Sequence, residues 1–323
     1  MMAIRYIFVL LLLCHVSKAQ FNTDSLKKSI FSTNSDSIKL RGYAYLCHNY
    51  TSIDNIISKK YADTILMIVS KHENDKGNFY QLQKGFAYDK IGSILFQKGK
   101  YNEALQYCKL SLRINEKLNN KSRIAVSLGA IGALLKAIGN KEALNYYKQS
   151  VEMQTEVYND SKDERSKHIL ATSYHNLGAT YAYFYYPDSS MYCFKKALSL
   201  LDTLLPQLDV AMVYTGIAQA YKMKENYKSA ILTEEKALDI YTKLGSPDGI
   251  TSTYNGFADI YLEAKEYKKA IAYSELAEKV SLENDFTDDI LYSYETRFMA
   301  FEKLGDVKNE NIFLKKHAKL KDS

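Results

Sequence analysis

The sequence contains no tryptophan and only three prolines in 323 residues. Because proline kinks or ends a helix, its scarcity allows long uninterrupted helices. Cysteine is also rare, and Cys47, Cys108 and Cys193 show no Cys-x-x-Cys spacing. An oxidising compartment would permit one disulfide among them, but we expect three small buried side chains on helices. The proportions of 46% apolar and 25% charged residues exclude a disordered or collagen-like chain.

Long apolar runs are absent except at the N-terminus. Arg5 precedes the apolar run Ile7–Leu13, and Ser17 and Ala19 are the small residues of a cleavage site. This layout is typical of a secretory signal peptide, so we predict that residues 1–19 are removed and that the protein is exported to a bacterial periplasm. The alternative is an uncleaved anchor, although a spanning helix needs about 20 apolar residues. No later segment reaches that length, which predicts no membrane span in the mature chain.

Motifs for catalysis and metal binding are missing as well. The sequence has no glycine-rich phosphate loop, GxSxG elbow, kinase signature or HExxH pair. We therefore predict a protein that is not an enzyme and that uses no cofactor and no metal. An enzyme would need a pocket of convergent polar groups with perturbed pKa values, which we expect to be absent. The net charge of +6 is interpreted as spread along the chain, which argues against nucleic acid as a partner.

An internal repeat of about 40 residues is the main positive signal. Each copy has a first small residue, a large residue three positions later, and a second small residue further on. The first small residues recur in steps of 40, 46, 40 and 40 and are Gly92, Gly132, Gly178, Ala218 and Ala258. The large residues are Leu95, Leu135, Tyr181, Tyr221 and Tyr261, and the second small residues are Ala104, Ala143, Ser190, Ala230 and Ala270.

This spacing predicts two helices in each copy. Small residues on both helices let their axes approach, and the large residue shares a face with the first small residue because positions i and i+3 are neighbours. One pair cannot bury its apolar stripe alone, whereas stacked pairs share a continuous core. We expect Gly99, Gly139 and Gly305 at turns, and Pro187 and Pro247 at helix starts. The predicted fold class is an all-α solenoid of stacked antiparallel helix pairs.

These residues resemble the tetratricopeptide repeat, whose pattern is Leu-Gly-x-x-Tyr, then alanine, an aromatic residue and alanine. Leu177, Gly178 and Tyr181 match the pattern, and the later copies keep its spacing. The resemblance implies a right-handed superhelix, although the step is 40 residues instead of 34. A HEAT or armadillo solenoid shares the period but not this spacing. The predicted organisation is a signal peptide (1–19), a linker (20–35), a degenerate capping pair (36–78) and repeats (79–320), five of them clear and the last degenerate.

The resemblance also implies a concave groove that is lined by the first helix of each pair. By analogy, the groove positions lie three before, and one, four and five after, the first small residue. The partner-binding candidates are Asp89, Phe96, Lys136, His175, Tyr183, Gln219, Lys222, Met223, Asn255, Asp259, Leu262 and Glu263. Their large apolar members suit a peptide or a partner helix; alternatively, they shield neighbouring helices or the register is shifted by one residue. The tyrosine-rich run Tyr181–Tyr192 either anchors a partner or packs against the next turn.

We expect a binding module of the bacterial envelope that holds a protein or peptide, or a small-molecule signal, in this groove. The alternative is the periplasmic sensor portion of a membrane-bound two-component regulator, because exported repeats of this extended type resemble such sensors. Its transmembrane and output domains would then follow Ser323. The sequence indicates no oligomeric state.

Overall fold

The structure is a computed structural model that describes residues 26–30, 32–51, 53–73, 77–204 and 207–322. These residues form helices and turns and contain no strand, so the predicted all-α class is confirmed. The helices are α1 (Asp36–Tyr50), α2 (Asn55–Ser70), α3 (Asn78–Gln97), α4 (Tyr101–Lys117), α5 (Lys121–Ala137), α6 (Ala143–Ser161), α7 (Glu164–Tyr183), α8 (Pro187–Leu200), α9 (Leu208–Met223), α10 (Tyr227–Leu244), α11 (Pro247–Glu263), α12 (Tyr267–Asn284), α13 (Thr287–Leu304) and α14 (Val307–Lys321).

The chain divides into two compact units, Met1–Met153 (unit 1) and Gln154–Ser323 (unit 2). Within unit 1, α1 packs on α2 and α3 packs on α4. Within unit 2 the pairs are α7 with α8, α9 with α10, α11 with α12, and α13 with α14. In unit 2, the second helix of one pair also packs on the first helix of the next pair: α8 on α9, α10 on α11, and α12 on α13. These contacts produce a stack of helix pairs.

The first helices of unit 2 form the more closely spaced of its two layers. Helix α7 contacts α9, α9 contacts α11, and α11 contacts α13. In the described part of the unit, the second helices make no contacts of similar extent with one another. A stack curves toward its more closely spaced layer. We therefore use the name inner face for the surface of unit 2 that α7, α9, α11 and α13 turn away from the second helices.

The small repeat residues are small because their neighbours leave no room. A Cβ atom added to Gly132 would lie 2.9 Å from Cδ2 of Tyr147, and one added to Gly178 would lie 3.0 Å from the ring of Phe194. The second small residues Ala230 and Ala270 are fully buried. Close approach of the helices is thus built into the repeat, as their spacing predicts.

The turns inside the helix pairs need a left-handed backbone. Gly99, Gly139 and Gly305 have φ values of 70°, 72° and 72° at these turns. Glu225 and Lys265 adopt the same conformation in other repeats, with φ values of 56° and 62°. A side chain in this region costs about 1 kcal/mol, so those repeats retain a small strain.

The N-terminal part differs from its predicted description. The predicted signal peptide, residues 1–19, lies outside the described residues. Residues 26–30 are helical and Ile30 is buried against Gly42, although a linker was expected over 20–35. Leu26 and Ile30 are four positions apart and so share one apolar helix face, a spacing that favours a helix over a linker.

Cys47, Cys108 and Cys193 are buried, as expected. No described helix has the length and apolar character that crossing a membrane requires.

Candidate functional site

The inner face of unit 2 carries a polar network centred on Lys222, near the end of α9. The Lys222 side chain is only 8% exposed, so its charge needs partners within the protein. Its Nζ atom lies 3.3 Å from Oδ2 of Asp259 and 3.3 Å from Oε1 of Glu263. The two acids share one side of α11 because they are four residues apart. One ammonium group therefore joins α9 to two carboxylates of α11.

The network extends to α13 through Tyr292. The Tyr292 hydroxyl donates a hydrogen bond of 2.6 Å to Oδ1 of Asp259. Burial raises the pKa of Tyr292, and the charge of Asp259 raises it further. The phenol therefore stays protonated and keeps its role as donor. Asp259 thus accepts from Lys222 on one side and from Tyr292 on the other.

A second link between α11 and α13 runs through Asn255. Its Nδ2 atom donates to Oδ1 of Asp289 at 2.9 Å, and the hydroxyl of Ser293 donates to its Oδ1 at 3.5 Å. Burial and the nearby Asp248 raise the pKa of Asp289. Polar contacts therefore hold these two helices together along more than one turn.

Beneath this face lies a buried carboxyl group, Glu234 of α10. It occupies the position four residues after the second small residue, where other copies have Cys108, Tyr147, Phe194 and Ser274. The residue is 1% exposed, and its Oε1 atom has no hydrogen-bond partner among the described residues. Burial raises its pKa to about 8; the charge of Lys222 opposes this shift, and that of Asp259 adds to it.

The structure brings together three predicted groove residues of unit 2, Lys222, Asp259 and Glu263, and places Asn255 one turn earlier on α11. Lys222 and Asn255 are buried instead of lining an open wall, which corrects their predicted exposure. Lys222 and Asn255 are shielded from solvent because their polar groups bond to the neighbouring first helix.

The other predicted groove residues of unit 2 lie apart from this network. Gln219 and Tyr183 are exposed, whereas Met223 and Leu262 are half-buried. Leu262 packs against the core cluster of Phe257 and Tyr261. The ring of His175 lies 5.5 Å from that of Phe194, between helices of the first pair of the unit.

In unit 1, Asp89 belongs to a different polar network, in which Ser127 also bonds to Ser111 and Asn115. The carboxylate of Asp89 accepts a hydrogen bond of 3.5 Å from Ser127, and burial raises its pKa. Burial lowers the pKa of Lys136. Phe96 is exposed at one edge and lies 5.6 Å from the ring of Tyr101.

The tyrosine-rich run lies around the turn between α7 and α8. Tyr185 is 82% exposed with a left-handed φ of 63°, and Tyr192 is exposed on α8. Tyr181 and Tyr186 make an edge-on contact at 6.1 Å. Part of the run therefore packs on itself, and part faces solvent.

Tyr292, Asp289 and Glu234 are not among the site residues predicted from the sequence. In the preceding repeat, the residue that corresponds to Tyr292 is Ser252, 40 residues earlier. Ser252 lies one helical turn before Asn255, the first predicted groove position of that repeat. Extending the same helix face by one turn would have included it. Glu234 could have been noticed as the one carboxylate at a repeat position that otherwise holds cysteine, aromatic or serine residues.

The expected absence concerned a pocket of convergent polar groups, whereas the structure has a polar cluster on a partly exposed face. The cluster around Lys222 includes Glu234 and Tyr292, both with raised pKa values. Among its ion-paired members, Lys222 is buried, Asp259 is half-buried and Glu263 is exposed. The cluster therefore opens onto a surface and does not line an enclosed cavity.

Residues 85–156 and 209–283 match the family model of the tetratricopeptide repeat. No curated protein matches the chain significantly. The apo form of RapI is 15% identical over 94% of this chain and 80% of its own, with a TM-score of 0.65. A Rap protein complexed with Competence and Sporulation Factor is 14% identical over 95% and 93% of the two chains, with a TM-score of 0.62.

A signal transduction ATPase from Pyrococcus horikoshii with a tetratricopeptide repeat sensor is also similar. It is 17% identical over 86% of this chain and 47% of its own, with a TM-score of 0.54. At these identities the similarities show a shared fold.

Proposed function

We propose that the chain, which matches the tetratricopeptide repeat over residues 85–156 and 209–283, is a binding module that holds a protein or peptide partner on the inner face of unit 2. The observation that carries this proposal is the network of Lys222, Asp259 and Tyr292, which joins three successive first helices. Side chains that are already held in place lose little entropy when a partner binds. Stacked repeats present extended surfaces that suit such partners.

The same network supports binding over catalysis. Its ammonium group is paired with carboxylates of the protein, and Glu263 and Tyr292 lie at the surface. A catalytic site usually surrounds its reacting groups and excludes water from them. We therefore propose a non-catalytic role.

The proposed location is the bacterial envelope. It rests on the pattern of residues 1–19, with a charged start, an apolar run and small residues before the cleavage site. Fractionation of the source cells with immunoblotting tests it. A soluble periplasmic band of about 35 kDa, the mass left after cleavage, supports an exported binding module. A larger band in the inner membrane would instead support the sensor portion of a two-component regulator.

The binding proposal is tested with a photo-crosslinking amino acid at Gln219, which is exposed on the inner face. The matched control places the same group at Lys279, which is exposed on the second helix α12. We expect the variant at Gln219 to yield a discrete adduct in the source cells, and the one at Lys279 not to. Equal labelling at both positions, or none at Gln219, would contradict the proposal.

A further inference from the structure

The net charge of +6 conceals a separation of charge between the two units. Unit 1 contains 22 Lys and Arg against 11 Asp and Glu, whereas unit 2 contains 21 against 26. The expectation of evenly spread charge is therefore wrong. The whole chain is basic, but unit 2 has more acidic than basic residues. A cation would therefore be attracted to unit 2 and not to the chain as a whole.

The acidic groups of unit 2 converge on one aromatic side chain, Tyr292. Glu295 lies one turn further along α13, and Glu263 lies one turn beyond Asp259, which accepts the Tyr292 hydroxyl hydrogen. Asp259 is bonded to Tyr292, Glu295 shares one side of α13 with it, and the charges of Asp259, Glu295 and Glu263 all raise the pKa of Tyr292. The tyrosine itself is 38% exposed, so part of it faces the solvent.

In the described part of the chain, only one cation is ion-paired with any of these three carboxylates. Lys222 is paired with Asp259 and Glu263, and it is buried below them. Glu295 is exposed and has no ion pair in the described part of the chain. The surface around Tyr292 therefore keeps a negative charge after its internal pairing is complete.

The buried carboxyl group of Glu234 lies beneath the inner face. Its Oε1 atom lies against α11 at Gly256, where an added Cβ atom would approach it to 2.5 Å. Gly256 and Asp259 are three positions apart and share one side of α11. The unpartnered oxygen is thus directed to the seam between α9 and α11 that Lys222 and Asp259 occupy. A buried acceptor without a partner costs about 1–3 kcal/mol, a cost that an apolar residue at this position would avoid.

We propose that Tyr292, Glu263 and Glu295 form a binding site for a lysine or arginine side chain of a basic partner segment. The ammonium or guanidinium group would pair with the two exposed carboxylates and lie against the tyrosine ring, whose face attracts cations. This inference rests on the proposed function, because it names the chemistry of the partner that the inner face holds. Charge complementarity identifies the occupant: a basic segment fits this surface, and an acidic one is repelled.

The test measures binding of two labelled peptides of equal length to the full chain by fluorescence anisotropy. One peptide alternates glycine with arginine, and the other has glutamate in place of each arginine. We expect the basic peptide to bind and the acidic peptide not to. The double variant Glu263→Gln with Glu295→Gln should raise Kd for the basic peptide about tenfold, because both carboxylates that face the cation are neutralised.

The matched control is Glu275→Gln with Glu283→Gln, which removes the same charge from exposed positions of α12. It should change Kd less than about twofold, since exposed charges further than a Debye length of about 10 Å are screened at 0.1 M salt. Equal losses in both double variants would show a general charge effect and overturn the site. Absence of binding by the basic peptide would overturn it as well.

The crosslinking test and the peptide-binding test can give different answers, so each proposal can be rejected without the other. An adduct at Gln219 without preference for the basic peptide would leave the binding module standing and remove the cation site. Basic-peptide binding that depends on Glu263 and Glu295, without an adduct at Gln219, would support the cation site and remove the proposed partner function.

Discussion

The hydroxyl of Tyr292 donates a hydrogen bond of 2.6 Å to the carboxylate of Asp259, which also receives the ammonium group of Lys222. A single aspartate thus connects first helices of three consecutive pairs. Because that aspartate is on the inner face, the contacts that hold unit 2 together also shape its candidate binding surface.

Replacing Tyr292 with phenylalanine should destabilise the protein by about 1–2 kcal/mol, because a hydrogen bond to a charged acceptor is lost while the ring is kept. Urea unfolding followed by circular dichroism measures this change, and it suits a chain without tryptophan. The control is Tyr185→Phe at an 82% exposed position, which should stay within about 0.5 kcal/mol. A loss of similar size in both variants would count against the structural role of the Tyr292 bond.

The raised pKa of Glu234 predicts that stability falls as pH rises. Between its ordinary value of 4.5 and its folded value of about 8, the folded state keeps a proton that the unfolded state has released. The contribution is therefore fully present below about pH 4.5 and is lost toward pH 8, up to about 5 kcal/mol for this group alone. Glu234→Gln should remove this part of the pH dependence and be more stable than the parent at pH 8. Unfolding midpoints at pH 5 and pH 8 that shift equally in parent and variant would rule out the assignment.

Two glycines of α5 should respond in opposite directions to alanine. At Gly132 an added Cβ would meet the Tyr147 ring at 2.9 Å, so Gly132→Ala should destabilise by about 1–3 kcal/mol. At Gly129 the nearest atom is Oγ of Ser150 at 3.5 Å, an ordinary contact, so Gly129→Ala should stabilise by about 0.5–1 kcal/mol through helix propensity. Thermal unfolding of both variants checks the pair, and equal shifts would refute the close approach at Gly132.

Lys265 has a left-handed backbone at a turn where other repeats have glycine. Lys265→Gly should therefore stabilise the protein by about 0.5–1 kcal/mol, because the strained side chain is removed. The same change at Lys279, an exposed site inside α12, should destabilise it by about 1 kcal/mol. Urea unfolding of the two variants gives the comparison, and destabilisation by both would mean that the turn stores no strain.

More of the fold than of the site could be predicted from the sequence. Gly132, Gly178 and Ala230 mark close helix approaches because a repeat must keep its packing positions in every copy. Lys222 and Asn255 were placed on the correct helices, but their burial was not foreseen. Burial depends on which neighbours each side chain reaches, and repeat spacing alone carries no information about that.

The sequence by itself determined the helix pairs, their turns at Gly99, Gly139 and Gly305, and the order in which the pairs stack. These features are local, since they depend on small residues, glycine and apolar spacing within about 40 residues. Tertiary structure alone decided that Lys222 pairs with Asp259 and Glu263, that Tyr292 joins them, and that Glu234 lies without a partner for one oxygen. These contacts join residues of different helix pairs, and their pairing follows from how closely the first helices approach in three dimensions.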